Sequence, residues 1–228
     1  MKEAIIVLAS QSPNRLKLLQ QIGLKNVIVK VSNFEENLPK TLPVKQFVIE
    51  TAKGKLATIV EEMKKNEVSR PSVIIVNCPK ASKPSKKMRK PKCSYLNQEP
   101  YSVIIACDTV IEFNGEIIGK PTDANDAIET LQRLRKNTHN VYTGMALHYQ
   151  ETDQYEELIE KTVVHFGDIP DRVIEEYVKS GEPLKKAGSY GIGEFGAVFV
   201  SGIEGCMPNV VGLPLHRLHQ ALIAKNIL

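Results

Sequence analysis

The pattern of apolar and polar residues along the chain predicts alternating strands and helices. Residues 4–9 form a continuous apolar run, as in a strand that is buried on both faces. Ser12 and Pro13 then form a typical N-cap and first helical residue, and Gly23 lies where this helix would end. A second helix is predicted over residues 44–64.

The rest of the chain continues this alternation. Residues 103–107 predict another buried strand, and Asn114-Gly115 between two apolar segments is a strong signal for a hairpin turn. Either Asp123 or Thr122 is predicted to cap a third helix. The remaining predicted elements are strands near 141–149, 158–166 and 197–200, and helices over 170–178 and from about 215. Strands and helices mixed in this order predict an α/β fold.

Length and composition are those of a soluble globular domain. The chain has 228 residues, 42% of them hydrophobic and 25% charged, and a chain of this size can fold without disulfides or a metal. Its four cysteines show no CxxC spacing, so neither a zinc site nor a disulfide framework is predicted. No apolar run approaches the ~20 residues that a membrane helix needs. We therefore expect a cytoplasmic protein without a membrane span.

One segment departs from the even charge distribution. Residues 80–92 carry seven Lys or Arg residues and no acid, so removing them from the net charge of +4 leaves the remainder at −3. Pro79, Pro84 and Pro91 lie in or next to this segment, which has few apolar residues. This composition favours a disordered insertion over about residues 77–100. A nuclear address or a nucleic-acid contact is the alternative function of the segment. The rest of the chain is not basic enough to predict a nucleic-acid-binding protein.

The turn after the first predicted strand has the composition of an anion-binding site. The first amides of a helix have no partner within the helix, and the helix dipole favours negative charge there. Ser10 and Ser12 add hydroxyl donors, and Arg15 adds a positive charge one turn into the helix. A plain helix cap followed by a surface cation explains these residues equally well.

Acidic and basic residues elsewhere could complete such a site. Asp108 follows the apolar residues 103–107, which predicts it at the carboxyl end of a strand, where α/β sheets place their ligands. A carboxylate there can hold a metal or accept a proton from water, although a turn-forming Asp is as common. Lys55, Lys120 and the pair Glu35-Glu36 supply charges that suit a polyphosphate and its divalent metal. No GxxxxGK[ST] sequence is present, which argues against a P-loop nucleotide triphosphatase.

Six short motifs match one known family in composition and in order. They are Leu8-Ala9-Ser10-Gln11-Ser12-Pro13 with Arg15, Asp108-Thr109, Gly119-Lys120-Pro121, Thr138-His139-Asn140-Val141-Tyr142-Thr143-Gly144, Lys186-Ala187-Gly188-Ser189-Tyr190-Gly191-Ile192 and Val211-Gly212-Leu213-Pro214-Leu215. Together they resemble the Maf family of nucleotide pyrophosphatases. The motifs cover nearly the whole chain except about residues 66–101, so the basic segment is interpreted as an insertion.

The resemblance implies a single domain over residues 1–228 with a Maf/ITPase-like α/β fold. This fold has two lobes, an elongated mixed sheet flanked by helices, and a central cleft. The implied activity is hydrolysis of nucleoside triphosphates to the monophosphate and pyrophosphate, with Mg²⁺ or Mn²⁺, by a cytoplasmic homodimer. By the same resemblance Asp108 is the catalytic acid/base, and Glu35 and Asp108 lie at the metal. The residues that would bind the phosphates are Ser10, Arg15, Lys55 and Lys120.

Three positions separate the two substrate branches of the family, and here they are Asn14, Thr109 and Gly193. The branch that acts on dTTP, UTP and modified pyrimidines has Arg, Thr and Gln, whereas the branch that acts on 7-methyl-GTP has Trp, Gln and Glu. Thr109 and Thr138-His139 match the pyrimidine branch. The leading hypothesis is therefore a pyrimidine triphosphate pyrophosphatase that cleans the nucleotide pool. A 7-methyl-GTP pyrophosphatase and a weakly catalytic nucleotide-binding regulator of cell division are the alternatives.

Overall fold

The computed structural model describes residues 4–65 and 101–228, which form a seven-stranded mixed sheet flanked by helices. The strands are β1 (Ile6–Ala9), β2 (Val27–Lys30), β3 (Val103–Phe113), β4 (Glu116–Ile118), β5 (Thr138–Tyr149), β6 (Gln154–Phe166) and β7 (Val200–Glu204). The helices are α1 (Pro13–Gln21), α2 (Val44–Lys65), α3 (Ala124–Leu134), α4 (Asp171–Lys179), α5 (Met207–Val211) and α6 (Leu215–Ala224). The predicted α/β class is confirmed. The predicted insertion over about residues 77–100 lies outside the described residues.

The sheet joins a parallel half to an antiparallel half at β3. Its strand order is β2-β1-β3-β5-β6-β7, with β4 also paired to β3, and only the β1 pairs with β2 and β3 are parallel. The pairing of β1 with β3 ends at Ala9 and Ala106, and β4 pairs with β3 only from Ile111 onward. Among the described residues, positions 107–110 of β3 therefore have no strand partner on the β1 side. The candidate site lies at this opening.

Two predicted strand boundaries are wrong. Asp108 does not end a strand, because β5 pairs with β3 past Asp108 as far as Glu112 and keeps β3 extended to Phe113. The strand predicted over residues 197–200 is instead a 3-10 helix, Phe195–Phe199, and β7 begins only at Val200. The helical turn places the buried Phe199 ring among other aromatic rings, which an alternating strand pattern does not anticipate.

Local turn and cap chemistry follows the sequence closely. The Ser12 hydroxyl caps α1 by accepting a hydrogen bond from the Arg15 amide at 3.4 Å. Asp123, not Thr122, caps α3 and accepts from two backbone amides. Asn114 and Gly115 form the predicted turn between β3 and β4. Within the described residues, no helix has both the length and the apolar character needed to span a membrane.

The parallel half of the sheet lies between two apolar layers, one shared with α1 and α6 and the other with α2. Because side chains alternate along a strand, Asp108 faces α2 and Thr109 faces α1. The residue paired with Asp108 is Gly144, and a Cβ atom on it would lie 2.6 Å from the Val48 carbonyl oxygen. Gly144 therefore allows α2, and with it Lys55, to approach Asp108 closely.

His139 is a buried imidazole in the layer beneath α3 and α4. Its Nε2 atom forms a 2.8 Å hydrogen bond with the Tyr190 hydroxyl, and its ring packs edge-on against Phe166. Burial, with a smaller effect from the charge of His165, lowers the pKa of His139 to about 4. The folded protein therefore keeps this ring neutral at pH values where an exposed histidine is protonated.

We expect acid to destabilise the protein through His139. Between pH ~6.5 and 4 the unfolded chain binds a proton at His139 that the folded chain excludes, so this stability is complete above pH ~6.5 and lost toward pH 4. The full loss corresponds to about 3 kcal/mol. Urea unfolding at pH 7 and pH 5 measures this loss. His139→Gln should reduce the difference in the free energy of unfolding between the two pH values, whereas substitution of an exposed histidine, His219→Gln, should not. Equal pH slopes for wild type and His139→Gln would contradict this assignment.

Candidate active site

Asp108 and Lys55 form the centre of the candidate site. The Lys55 Nζ atom lies 2.8 Å from Asp108 Oδ1 and 2.8 Å from Glu36 Oε1. Asp108 and Lys55 are almost buried, with side chains 10% and 12% exposed, whereas the Glu36 side chain is half exposed. One ammonium group thus joins a carboxylate from the sheet to a carboxylate from the loop after β2. The three charges form a compact acid–lysine–acid cluster.

The positive charges around Glu36 favour its carboxylate form. Partial burial acts to raise the pKa of Glu36, but the hydrogen bond and charge of Lys55 act against it. The charges of Lys120 and Arg15 add to this effect, and the resulting pKa of Glu36 is below its ordinary value. Glu36 is therefore influenced by charges from three other segments of the chain.

Arg15 joins the three segments that meet on the α1 side of the opening. Its Nε atom donates to the Gly212 carbonyl oxygen at 2.8 Å, and Nη1 donates to Ser10 Oγ and the Cys107 carbonyl oxygen, both at 3.0 Å. Its Nη2 atom donates to Thr109 Oγ1 at 3.0 Å. A guanidinium group has five N–H donors, so these contacts occupy four of them. Among the described residues, the fifth N–H group, on Nη2, has no hydrogen-bond partner.

A hydroxyl relay extends this network into the sheet. Thr143 Oγ1 donates its proton to the Asn209 carbonyl oxygen at 3.2 Å. Since Thr143 has no second proton, the 3.0 Å contact between the two threonine hydroxyls has Thr109 as its donor. The Thr109 oxygen in turn accepts from Arg15. Gly212 completes the arrangement with φ +117, a conformation that brings its carbonyl to Arg15 and disfavours other residues.

Asn14 and Glu194 meet at the rim of the site. The Asn14 Nδ2 atom lies 3.3 Å from Glu194 Oε1, which also accepts from Lys186 Nζ at 2.7 Å. The hydrogen bond from Lys186 is the main cause that lowers the pKa of Glu194. Gly193 is next to this carboxylate, and among the described residues no atom lies within 4 Å of a Cβ added there.

The structure brings most of the predicted residues into two groups. Asp108 and Lys55 meet on the α2 side, and Ser10, Arg15 and Thr109 meet on the α1 side. Within the described residues, four other predicted residues do not join either group through a hydrogen bond or an ion pair. They are Asn14, Glu35, Lys120 and Gly193.

The two acids of the Glu35-Glu36 pair differ in position. Glu35 is exposed, and its backbone carbonyl oxygen accepts from the Asn37 amide at 2.9 Å. Glu36, not Glu35, contacts Lys55. The sequence indicates the pair but not its orientation, because a loop has no periodicity from which to infer which side chain points inward. Thr143 belonged to a recognised motif, but its hydroxyl relay had no signal in the sequence.

The donor set fits a divalent metal that is shared with a substrate. Asp108 and Glu36 offer carboxylate oxygens, the ligands that Mg²⁺ and Mn²⁺ prefer. Mg²⁺ is usually held by one or two carboxylates together with substrate phosphates. Within residues 4–65 and 101–228, no three His, Cys, Asp or Glu side chains converge on a metal position. Substrate oxygens would therefore be needed to complete the coordination.

These features define an α/β protein with a cluster of acidic and basic side chains at an opening in its sheet. Comparison with known families gives a match to the Maf family model, described as Maf-like protein, over residues 5–225. The chain belongs to the Maf family.

Individual relatives extend over the same length. A dTTP/UTP pyrophosphatase of Clostridium perfringens is 36% identical over 217 residues, which is 95% of each chain. A dTTP/UTP pyrophosphatase of Clostridium botulinum is 34% identical over 223 residues, or 97% of each chain. One from Clostridium tetani is 31% identical over 214 residues, or 93% of each chain.

We expect Arg15→Lys to destabilise the fold as well as the site. A lysine cannot reproduce the planar set of donors, so the buried Cys107 and Gly212 carbonyl oxygens would lose their side-chain partner. The free energy of unfolding should fall by about 2–4 kcal/mol. Chemical denaturation measures this, with the exposed Arg172→Lys as the matched control. If both variants unfold at the wild-type denaturant concentration, Arg15 does not join these segments.

Proposed function

We propose that this protein is a nucleoside triphosphate pyrophosphatase that acts on dTTP, UTP or modified pyrimidine triphosphates. The observation that carries the proposal is the acid–lysine–acid cluster of Glu36, Lys55 and Asp108 in a member of the Maf family. The relatives named dTTP/UTP pyrophosphatase support a pyrimidine substrate. Removing non-standard or excess nucleotides from the pool is the corresponding cellular role.

We also propose that the molecule has two lobes and is a cytoplasmic homodimer. The apolar layers around β1 and the separate layer beneath α3 and α4 support two lobes, with the opening at β3 as part of a cleft between them. The family resemblance favours a cytoplasmic homodimer.

Asp108 is proposed to accept the proton of the attacking water. The water oxygen forms a bond to the α-phosphorus while the bond from that phosphorus to the bridging oxygen breaks. The bonding electron pair leaves with pyrophosphate, and the water proton passes to the Asp108 carboxylate. Lys55, at 2.8 Å, orients this carboxylate and compensates for its burial.

Cations around the opening are proposed to bind the triphosphate. Lys120 and the remaining N–H group of Arg15 would contact phosphate oxygens, and Ser10 would hold the Arg15 side chain in place. Mg²⁺ or Mn²⁺, held by Asp108 and Glu36, would supply charge neutralisation of the triphosphate. Glu35 remains the ligand predicted from the sequence, but the Lys55 contact makes Glu36 the better-placed acid.

Asp108→Asn should greatly reduce turnover without unfolding the protein. Loss of a general base lowers kcat by about 10²- to 10⁴-fold. Pyrophosphate release would be measured with dTTP, UTP, CTP, 5-methyl-CTP, pseudouridine triphosphate, 7-methyl-GTP and ITP, with and without Mg²⁺. The exposed Asp168→Asn is the control. Wild-type rates in Asp108→Asn would reject its role. No turnover of any triphosphate by the wild type would reject the proposed activity, and preference for 7-methyl-GTP would reject the pyrimidine assignment.

Gly193→Gln should strengthen binding of a pyrimidine nucleotide. Glutamine stands at this position in the pyrimidine branch that the chain resembles, and the space around Gly193 accepts a side chain. Because one added hydrogen bond contributes about 0.5–1.5 kcal/mol, we expect KM for UTP to fall about two- to tenfold with kcat nearly unchanged. Gly193→Ala adds only a methyl group and serves as the control. A KM for UTP equal in both variants would show that this position does not contact the base.

A further inference from the structure

The Phe34 ring packs against α2 at Gly54, where any larger residue would collide with the ring. Its ring covers Gly54, and a Cβ atom added to Gly54 would lie 2.2 Å from Phe34 Cε2 and 2.3 Å from Cζ. These distances are far below van der Waals contact, so any larger residue at position 54 would displace the ring. The backbone of α2 and the Phe34 ring are therefore in direct contact.

Glycine has no local advantage at this position. Gly54 lies in the interior of α2, a helix of 22 residues, and glycine there destabilises a helix by about 0.5–1 kcal/mol relative to alanine. The contact with Phe34 gives a physical reason for this choice.

The contact lies beside the acid–lysine–acid cluster in both segments. Phe34 precedes Glu36 by two residues in the loop after β2, and Gly54 immediately precedes Lys55 on α2. The loop thus meets the helix at two neighbouring points, first through the Phe34 ring and then through the ion pair between Glu36 and Lys55. Since the Glu36 side chain is half exposed, its own ion pair is a weak constraint, and the packed ring is the stronger one.

We propose that Gly54 is a positioning residue: by admitting the Phe34 ring against α2, it determines where the Glu36 carboxylate meets Lys55. The expected effect of Gly54 on turnover rests on the proposed function of the cluster, whereas its expected effect on the loop is independent of that function.

The test compares Gly54→Ala, Phe34→Ala and the double variant. Gly54→Ala should displace the ring, so amide hydrogen exchange over residues 31–37 should accelerate while exchange in α6 stays unchanged. The Mg²⁺ concentration that gives half-maximal turnover of UTP should rise about 10- to 100-fold, the usual effect of losing a residue that orients a metal ligand. Phe34→Ala should act in the same direction.

The double variant separates positioning from general damage. Without the ring, a methyl group at position 54 meets no Phe34 side chain, so the double variant should be no worse than Phe34→Ala alone. Ala57→Gly is the matched control. Ala57 is an exposed position on the same helix, and this substitution replaces alanine by glycine, the reverse of Gly54→Ala. It should leave loop exchange and the Mg²⁺ requirement unchanged.

Two results would overturn the inference. The first is Gly54→Ala with wild-type exchange over residues 31–37, and the second is additive losses in the double variant. If the wild type turns over no triphosphate, the proposed function fails, and the exchange measurements still decide whether Gly54 positions the loop.

Discussion

The ion pair between Lys55 and Asp108 is the contact on which the arrangement of the site depends. A carboxylate that is nine-tenths buried on a sheet loses most of its hydration, and it needs a close opposite charge to compensate. Lys55 meets this requirement only if α2 lies close to β3. Gly144 makes that approach sterically acceptable, because it leaves the Val48 carbonyl room against β5. The electrostatic requirement and the backbone packing therefore support each other.

The two faces of β3 carry different groups of site residues. The α2 face carries the acid–lysine–acid cluster, whereas the opposite face carries the hydrogen-bond network of Arg15, Thr109 and Thr143. The change of strand partner along β3 leaves its edge open between the two groups. Charged side chains from both faces lie beside this edge, and neither face alone carries all of them. Residues from α1, α2 and β3 converge there with Ser10, from the turn after β1, and Glu36, from the loop after β2.

Arg15 contributes more to holding the protein together than its charge alone suggests. A surface cation beside an anion site would keep most of its donors for the ligand, but four of the five N–H groups of Arg15 bind protein oxygens. Thr109, which the family resemblance predicts to influence substrate choice, is one of these acceptors. Any influence of Thr109 on the substrate would therefore act partly through the placement of Arg15.

Neighbouring residues and short motifs in order were enough to predict the α/β class, the cap at Ser12, the turn at Asn114 and the family. The position of Asp108 inside a long strand is apparent only in the packed fold, because the length of a strand depends on the strand with which it pairs. The same is true of the contact between Glu36 and Lys55, and of the contact between Arg15 and the Gly212 carbonyl, 197 positions away in the chain. Local periodicity carries no information about such contacts, because they arise only when distant segments pack together.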